Sequence, residues 1–89
     1  MREMIYRVLL IESDEGFAVC CPALPGCWSQ GATEAEALEM ISDAITGLLE
    51  VGSTPATDGG AEEEAKIVRE AAADRAKVTV HEVRLPVAA

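Results

Sequence analysis

From residue 4 to residue 12 the chain is apolar on both phases of an extended backbone. Met4, Tyr6, Val8 and Leu10 fall on one face, and Ile5, Arg7, Leu9 and Ile11 on the other. Two largely apolar faces predict a central strand covered on both sides. Glu12-Ser13-Asp14-Glu15-Gly16 is polar and ends in glycine, which predicts a hairpin turn. Residues 17–21, Phe-Ala-Val-Cys-Cys, favour a second strand. Pro22-Ala23-Leu24-Pro25-Gly26 then interrupts it, since each proline fixes φ and removes a donor. Residues 27–30 resume an extended run, which completes an antiparallel meander of three strands.

The period then changes. Thr33 precedes Glu36 at the spacing of a capping box, in which the Thr33 hydroxyl accepts from the Glu36 amide and the Glu36 carboxylate reaches back to the Thr33 amide. A helix is predicted over residues 34–51. Ala37, Leu38, Ile41, Ala44, Ile45, Leu48 and Leu49 form its apolar stripe, and Glu34, Glu36, Glu39 and Asp43 its outer side. Gly52 stops it and Pro55 prevents its resumption. Residues 53–60 read as a loop and residues 61–75 as a second helix, with Glu62, Glu63 and Glu64 favoured by the dipole at its start. Its stripe of Ala65, Val68 and Ala72, widened by Ile67 and Ala71, is shallow, so this helix is expected to be the looser one.

Residues 77–85 predict a last strand whose phase slips. Val78 and Val80 lie on one face, yet Val83 and Leu85 lie on the face of Thr79 and His81. Either both faces are partly covered, or a one-residue bulge near His81-Glu82 resets the phase; the bulge is the reading adopted. If this strand pairs in parallel with its neighbour, the crossover should be right-handed. The order βββα(α)β places the chain in the α+β class.

At 89 residues, one domain with a thin core is expected. A hydrophobic content of 49% argues against disorder. Sixteen acidic against seven basic residues give a formal charge of -9, which disfavours direct nucleic-acid binding and suits a basic protein partner. The charge also serves plain solubility. Three cysteines form no disulfide framework, and no apolar run approaches the ~20 residues of a membrane span, so a soluble cytoplasmic protein is expected.

Candidate chemistry is sparse. Cys20, Cys21, Cys27 and His81 are the donor types for zinc, but Cys20 and Cys21 are adjacent on a strand and point to opposite faces, so core thiols are expected and no metal. Nothing activates a cysteine–histidine nucleophile. Two-metal phosphoryl chemistry needs clustered carboxylates, and here Glu12, Asp14 and Glu15 fall in a turn. No enzyme activity and no cofactor are expected. Trp28 reads first as a core anchor of the sheet and second as an exposed interface anchor. Tyr6 and Phe17 read as core.

The order of these pieces is itself specific: a tyrosine strand, an acidic turn with Gly16-Phe17, then Pro22-Ala23-Leu24-Pro25-Gly26-Cys27, Ser29-Gln30-Gly31, Thr33 and Glu36-Ala37. It resembles the HicB family, the antitoxins of HicA–HicB toxin–antitoxin pairs. The resemblance implies a cut-down ribonuclease-H-like sheet with the last strand beside the first. It also implies a partner, a HicA-like toxin, which in this family is a small basic mRNA interferase with a double-stranded-RNA-binding-domain-like fold and a catalytic histidine. Many HicB proteins continue into a ribbon-helix-helix or helix-turn-helix module. The 89 residues here end before one, so a short form without direct DNA binding is expected.

These expectations converge on a non-catalytic antitoxin that occludes a basic toxin, with Glu12, Asp14, Glu15, Trp28 and Gln30 as contact candidates. The alternative is a solitary HicB-fold oligomeric module without a toxin. A short basic open reading frame beside this gene separates the two. A short third strand leaves an open sheet edge, so a homodimer or larger assembly is expected.

Overall fold

The computed structural model describes residues 2–87. Four strands and two helices follow in the order β1 (Arg2–Ser13), β2 (Gly16–Cys20), β3 (Trp28–Gly31), α1 (Glu34–Glu50), α2 (Ala61–Ala73) and β4 (Lys77–Val87). The strands make one antiparallel sheet in the order β3-β2-β1-β4. The last strand therefore lies beside the first, and the question of a parallel crossover does not arise.

The two faces of β1 feed two cores. Tyr6, Val8 and Leu10 point toward α1 and pack with Val19, Val83, Ala37, Ile41 and Ile45. Leu9 points the other way, into a smaller cluster with Cys20 and Ile67 of α2, flanked by Ile11 and Val78. Both faces are covered as predicted, but unequally. Leu9 is fully buried, whereas Ile5 on the same face is 52% exposed, beyond the reach of the shorter helix.

The turn between β2 and β3 is closed by its own backbone. Cys21 and Cys27 fall just outside the strands, where the Cys21 amide donates to the Cys27 carbonyl at 3.0 Å, the Leu24 amide to Cys21 at 3.0 Å and the Cys27 amide to Leu24 at 3.1 Å. The helix caps follow the sequence with one change. Thr33 Oγ1 accepts from the Glu36 amide at 3.1 Å, but Glu36 Oε1 accepts from Ala32, not Thr33, also at 3.1 Å. At the other end of α1, Gly52 donates to Leu49 and Ser53 to Leu48, the paired bonds of a Schellman cap.

Two expectations fail. The stripe of α2 that faces the sheet contains Ile67 and Ala71, while Ala65, Val68 and Ala72 are exposed. Of the two β-branched side chains of α2 the larger, Ile67, takes the buried position and Val68 the exposed one, and the Arg7–Glu64 ion pair (2.7 Å) lies on the side of Ile67. The bulge near His81-Glu82 is absent. Each residue of β4 faces one residue of β1, from Lys77 opposite Glu12 through His81 opposite Val8 to Leu85 opposite Met4. The slip is absorbed by dividing the strand between the two cores: Val78 packs on the α2 side, and Val83 and Leu85 on the α1 side.

Backbone contacts set local limits on substitution. A Cβ at Gly31 would lie 2.5 Å from the Ala37 amide nitrogen, so Gly31→Ala should cost roughly 1–3 kcal/mol. Conversely, Arg75 ends α2 at φ 59°, the left-handed region in which a side chain is strained. Arg75→Gly should therefore stabilise the chain by about 0.5–1 kcal/mol. Urea unfolding of the two variants checks both signs; a stabilised Gly31→Ala or a destabilised Arg75→Gly contradicts this account.

Candidate functional site

Register brings the acidic hairpin beside the Gln30–Gly31 end of β3, while Trp28 lies at the other end of β2. Ser13 pairs with Gly16, so Asp14 and Glu15 form the tip. Glu12 lies one step back, opposite Phe17 on one side and Lys77 on the other. The ladder passes from β2 to β3 with Phe17 opposite Gly31, Ala18 opposite Gln30 and Cys20 opposite Trp28. All five contact candidates are exposed.

They do not form one cluster. Glu15 and Gln30 line a cleft of about 480 Å³ together with Glu36 and Met40 at the start of α1. Trp28 lines a second cleft, of about 520 Å³, between the Pro22–Gly26 turn and α2. Glu12 and Asp14 line neither. Trp28 is 50% exposed, which overturns the core reading. Its side chain shares the face of Cys20 and Leu9, beside the charged Glu62, Glu63, Lys66 and Arg69 of α2, so one side of the indole stays in water.

The sequence reading missed what surrounds Trp28. Leu24 and Ile67 supply apolar lining, and Asp58, Glu62 and Glu63 are acidic neighbours, with Lys66 and Arg69 also lining the cleft. Two contacts dock this segment on the turn. The Ala56 amide donates to the Ala23 carbonyl at 2.7 Å, and Gly60, at φ 83°, packs so close to Pro22 that a Cβ would collide with its backbone. Asp58 caps α2 by accepting from the Gly60 amide at 2.8 Å and the Glu62 amide at 3.3 Å. These amides hold its carboxyl below the usual carboxylate range. The signal was Asp58-Gly59-Gly60 before the acidic turn, an Asx cap read only as a loop.

His81 and the three cysteines serve the fold. His81 Nε2 lies 3.0 Å from Thr79 Oγ1 and 3.1 Å from Glu34 Oε1, tying β4 to the start of α1. Cys20 belongs to the cluster under α2, and Cys21 and Cys27 to the one under α1. Among the described residues no group of three or more histidine, cysteine or acidic side chains is placed to hold a metal ion. No helix among them is long and apolar enough to cross a membrane. Burial pushes the Cys20 thiol up to about 12 and the Cys27 thiol to about 11, and raises Cys21 as well. Buried, protonated thiols are poor nucleophiles.

The raised thiols set an alkaline limit. Folding binds these protons more tightly than the unfolded chain does, so the stabilisation is full below the ordinary value of 9.0 and is lost as pH rises toward about 12. Thiolate absorbance of the folded chain should appear with Cys27 ahead of Cys20, and in urea should appear near the ordinary value. Thiolate at neutral pH in the folded chain would contradict the burial.

Comparison with known proteins adds the family context. A sequence profile described as HicB_like antitoxin of bacterial toxin-antitoxin system matches residues 6–78. The UPF0150 protein Ta0767 of Thermoplasma acidophilum is 44% identical over 48 residues, which are 53% of this chain and 70% of that protein. The UPF0150 protein ssr1765 of Synechocystis sp. is 51% identical over 41 residues, 45% of this chain and 52% of its own length, so the chain spans about half of that relative. A solved chain from a HicA3 and HicB3 toxin-antitoxin complex shares the fold, with a TM-score of 0.55 at 21% identity, over 86% of this chain and 94% of that one.

Proposed function

Because the chain belongs to the HicB-like antitoxin family of bacterial toxin–antitoxin systems, we propose that it binds a small basic HicA-type mRNA interferase and covers that toxin's RNA surface. The mechanism is occlusion, with no bond made or broken. An RNA-cleaving toxin must present cations to phosphate, and an acidic protein competes for the same cations. Electrostatic attraction sets the encounter, and buried contacts set the lifetime.

The observation that carries this reading is the half-exposed Trp28 on the edge strand, in a cleft lined by the acidic Asp58, Glu62 and Glu63 and the basic Lys66 and Arg69, and on the same strand as Gln30. A large aromatic side chain held on a strand loses little entropy on docking, and such residues dominate interface energies. Glu12, Asp14 and Glu15, at the hairpin beyond the other end of β2, supply charge at solvent-exposed positions, where they act on association rate more than on affinity. The partner is the product of a short basic open reading frame beside this gene; without such a frame, the solitary binding module takes precedence.

Binding kinetics against that partner test the assignment. Raising salt should slow association more than it speeds dissociation. Replacing Glu12, Asp14 and Glu15 together by their amides should flatten the salt dependence, whereas Trp28→Ala should leave association nearly unchanged and speed dissociation about ten-fold or more. An association rate independent of salt removes the electrostatic argument, and an unchanged dissociation rate for Trp28→Ala removes the anchor.

A further inference from the structure

The sheet has two edges, and they differ in length and in charge. The β3 edge is four residues long and lies at the acidic end, near Glu15 and Glu36. The β4 edge is eleven residues long and unbulged, and among the described residues no strand covers its outer side. Natural edges are usually shortened, bulged or covered, because a long regular edge is a template for another strand. On a chain of formal charge -9, β4 carries Lys77, Glu82 and Arg84, two cations and one anion. A second copy of so acidic a chain is repelled least here.

The spacing of those charges fits self-pairing. Glu82 and Arg84 are exposed, lie on the same face and flank Val83. Among the described residues neither is in an ion pair; Arg7, opposite Glu82 within the chain, is bonded to Glu64 instead. In antiparallel pairing about a two-fold axis, positions equidistant from the axis face each other. With the axis at Val83, Glu82 of each copy faces Arg84 of the other, giving two opposite-charge cross-strand pairs. The same register sets Val80, 48% exposed, opposite Pro86. Pro86 removes one donor at the outer end of the pairing. An axis at Glu82 or Arg84 would set like charges opposite one another, and an axis at His81 would leave both charges opposite valine.

We propose that the β4 edge joins a second copy of this chain about a two-fold axis at Val83, so that two sheets run into one continuous antiparallel sheet. This moves the expected self-association from the short β3 edge to the opposite side and leaves the Trp28 end free.

Sedimentation of the full chain over a range of micromolar concentrations tests this, with circular dichroism and melting temperature as fold controls. The unaltered chain should dimerise. Glu82→Arg and Arg84→Glu should each weaken dimerisation at least about ten-fold, because each sets two like-charge pairs across the axis. The double variant should dimerise again. An equimolar mixture of the two single variants should also associate, since each then meets the opposite charge. A monomeric unaltered chain overturns the proposal. So do folded single variants that dimerise as tightly as the unaltered chain, or a double variant and a mixture that both stay monomeric.

Discussion

β1 must satisfy two faces and two edges at once, and the rest of the chain is arranged around that requirement. Its residues alternate between two cores, so the chain needs a helix on each side of the sheet. α1 covers one face with Ala37, Ile41 and Ile45. α2 covers the other with little more than Ile67, which suffices for Leu9 but leaves Ile5 in water. One edge of β1 is taken by β2 over residues 9–13 and the other by β4 over residues 2–12. A polar residue at Leu9 would leave the second core without its centre and α2 without its seat.

The uneven coverage shapes the candidate surface. α2 lines the Trp28 cleft with Glu62, Glu63, Lys66 and Arg69 and gives it one large apolar side chain, Ile67, so Trp28 stays half exposed. The Pro22–Gly26 turn and the segment capped by Asp58 hold that cleft open, through the Ala56–Ala23 bond and the close approach of Gly60 to Pro22. The thin second core and the exposed tryptophan are thus one fact seen from two sides. The two outer strands differ in kind, β3 short and acidic in setting, β4 long and locally near neutral, on opposite sides of the sheet.

Local rules made much of this legible. Thr33 with Glu36, the i, i+4 spacing of Ile41 and Ile45, and the doubly apolar run of β1 each act within a few residues, and each appears where the pattern put it. The failures are non-local. The phase of α2 depends on which side Leu9 presents, and the phase slip of β4 looks like a bulge only if one assumes a single buried face. Two cores make the regular ladder sufficient. The core reading of Trp28 fails and its exposed reading holds for the same reason, since exposure depends on how a helix more than thirty positions later lies beside it. Of the contact candidates, the acidic turn and the edge strand could be read directly; Asp58 and Glu62 could not, because only the fold brings them beside Trp28.

The central claim is occlusion of a toxin's RNA surface by this chain. The most direct measurement is cleavage of a labelled messenger RNA by a HicA-type toxin, titrated with this chain at low salt. The account predicts a linear fall in cleavage to nothing at a fixed whole-number ratio of the two proteins, with no change in the chain itself and full recovery of toxin activity once the complex is separated. Undiminished cleavage in the presence of bound chain, or inhibition that persists after the chain is removed, would contradict it.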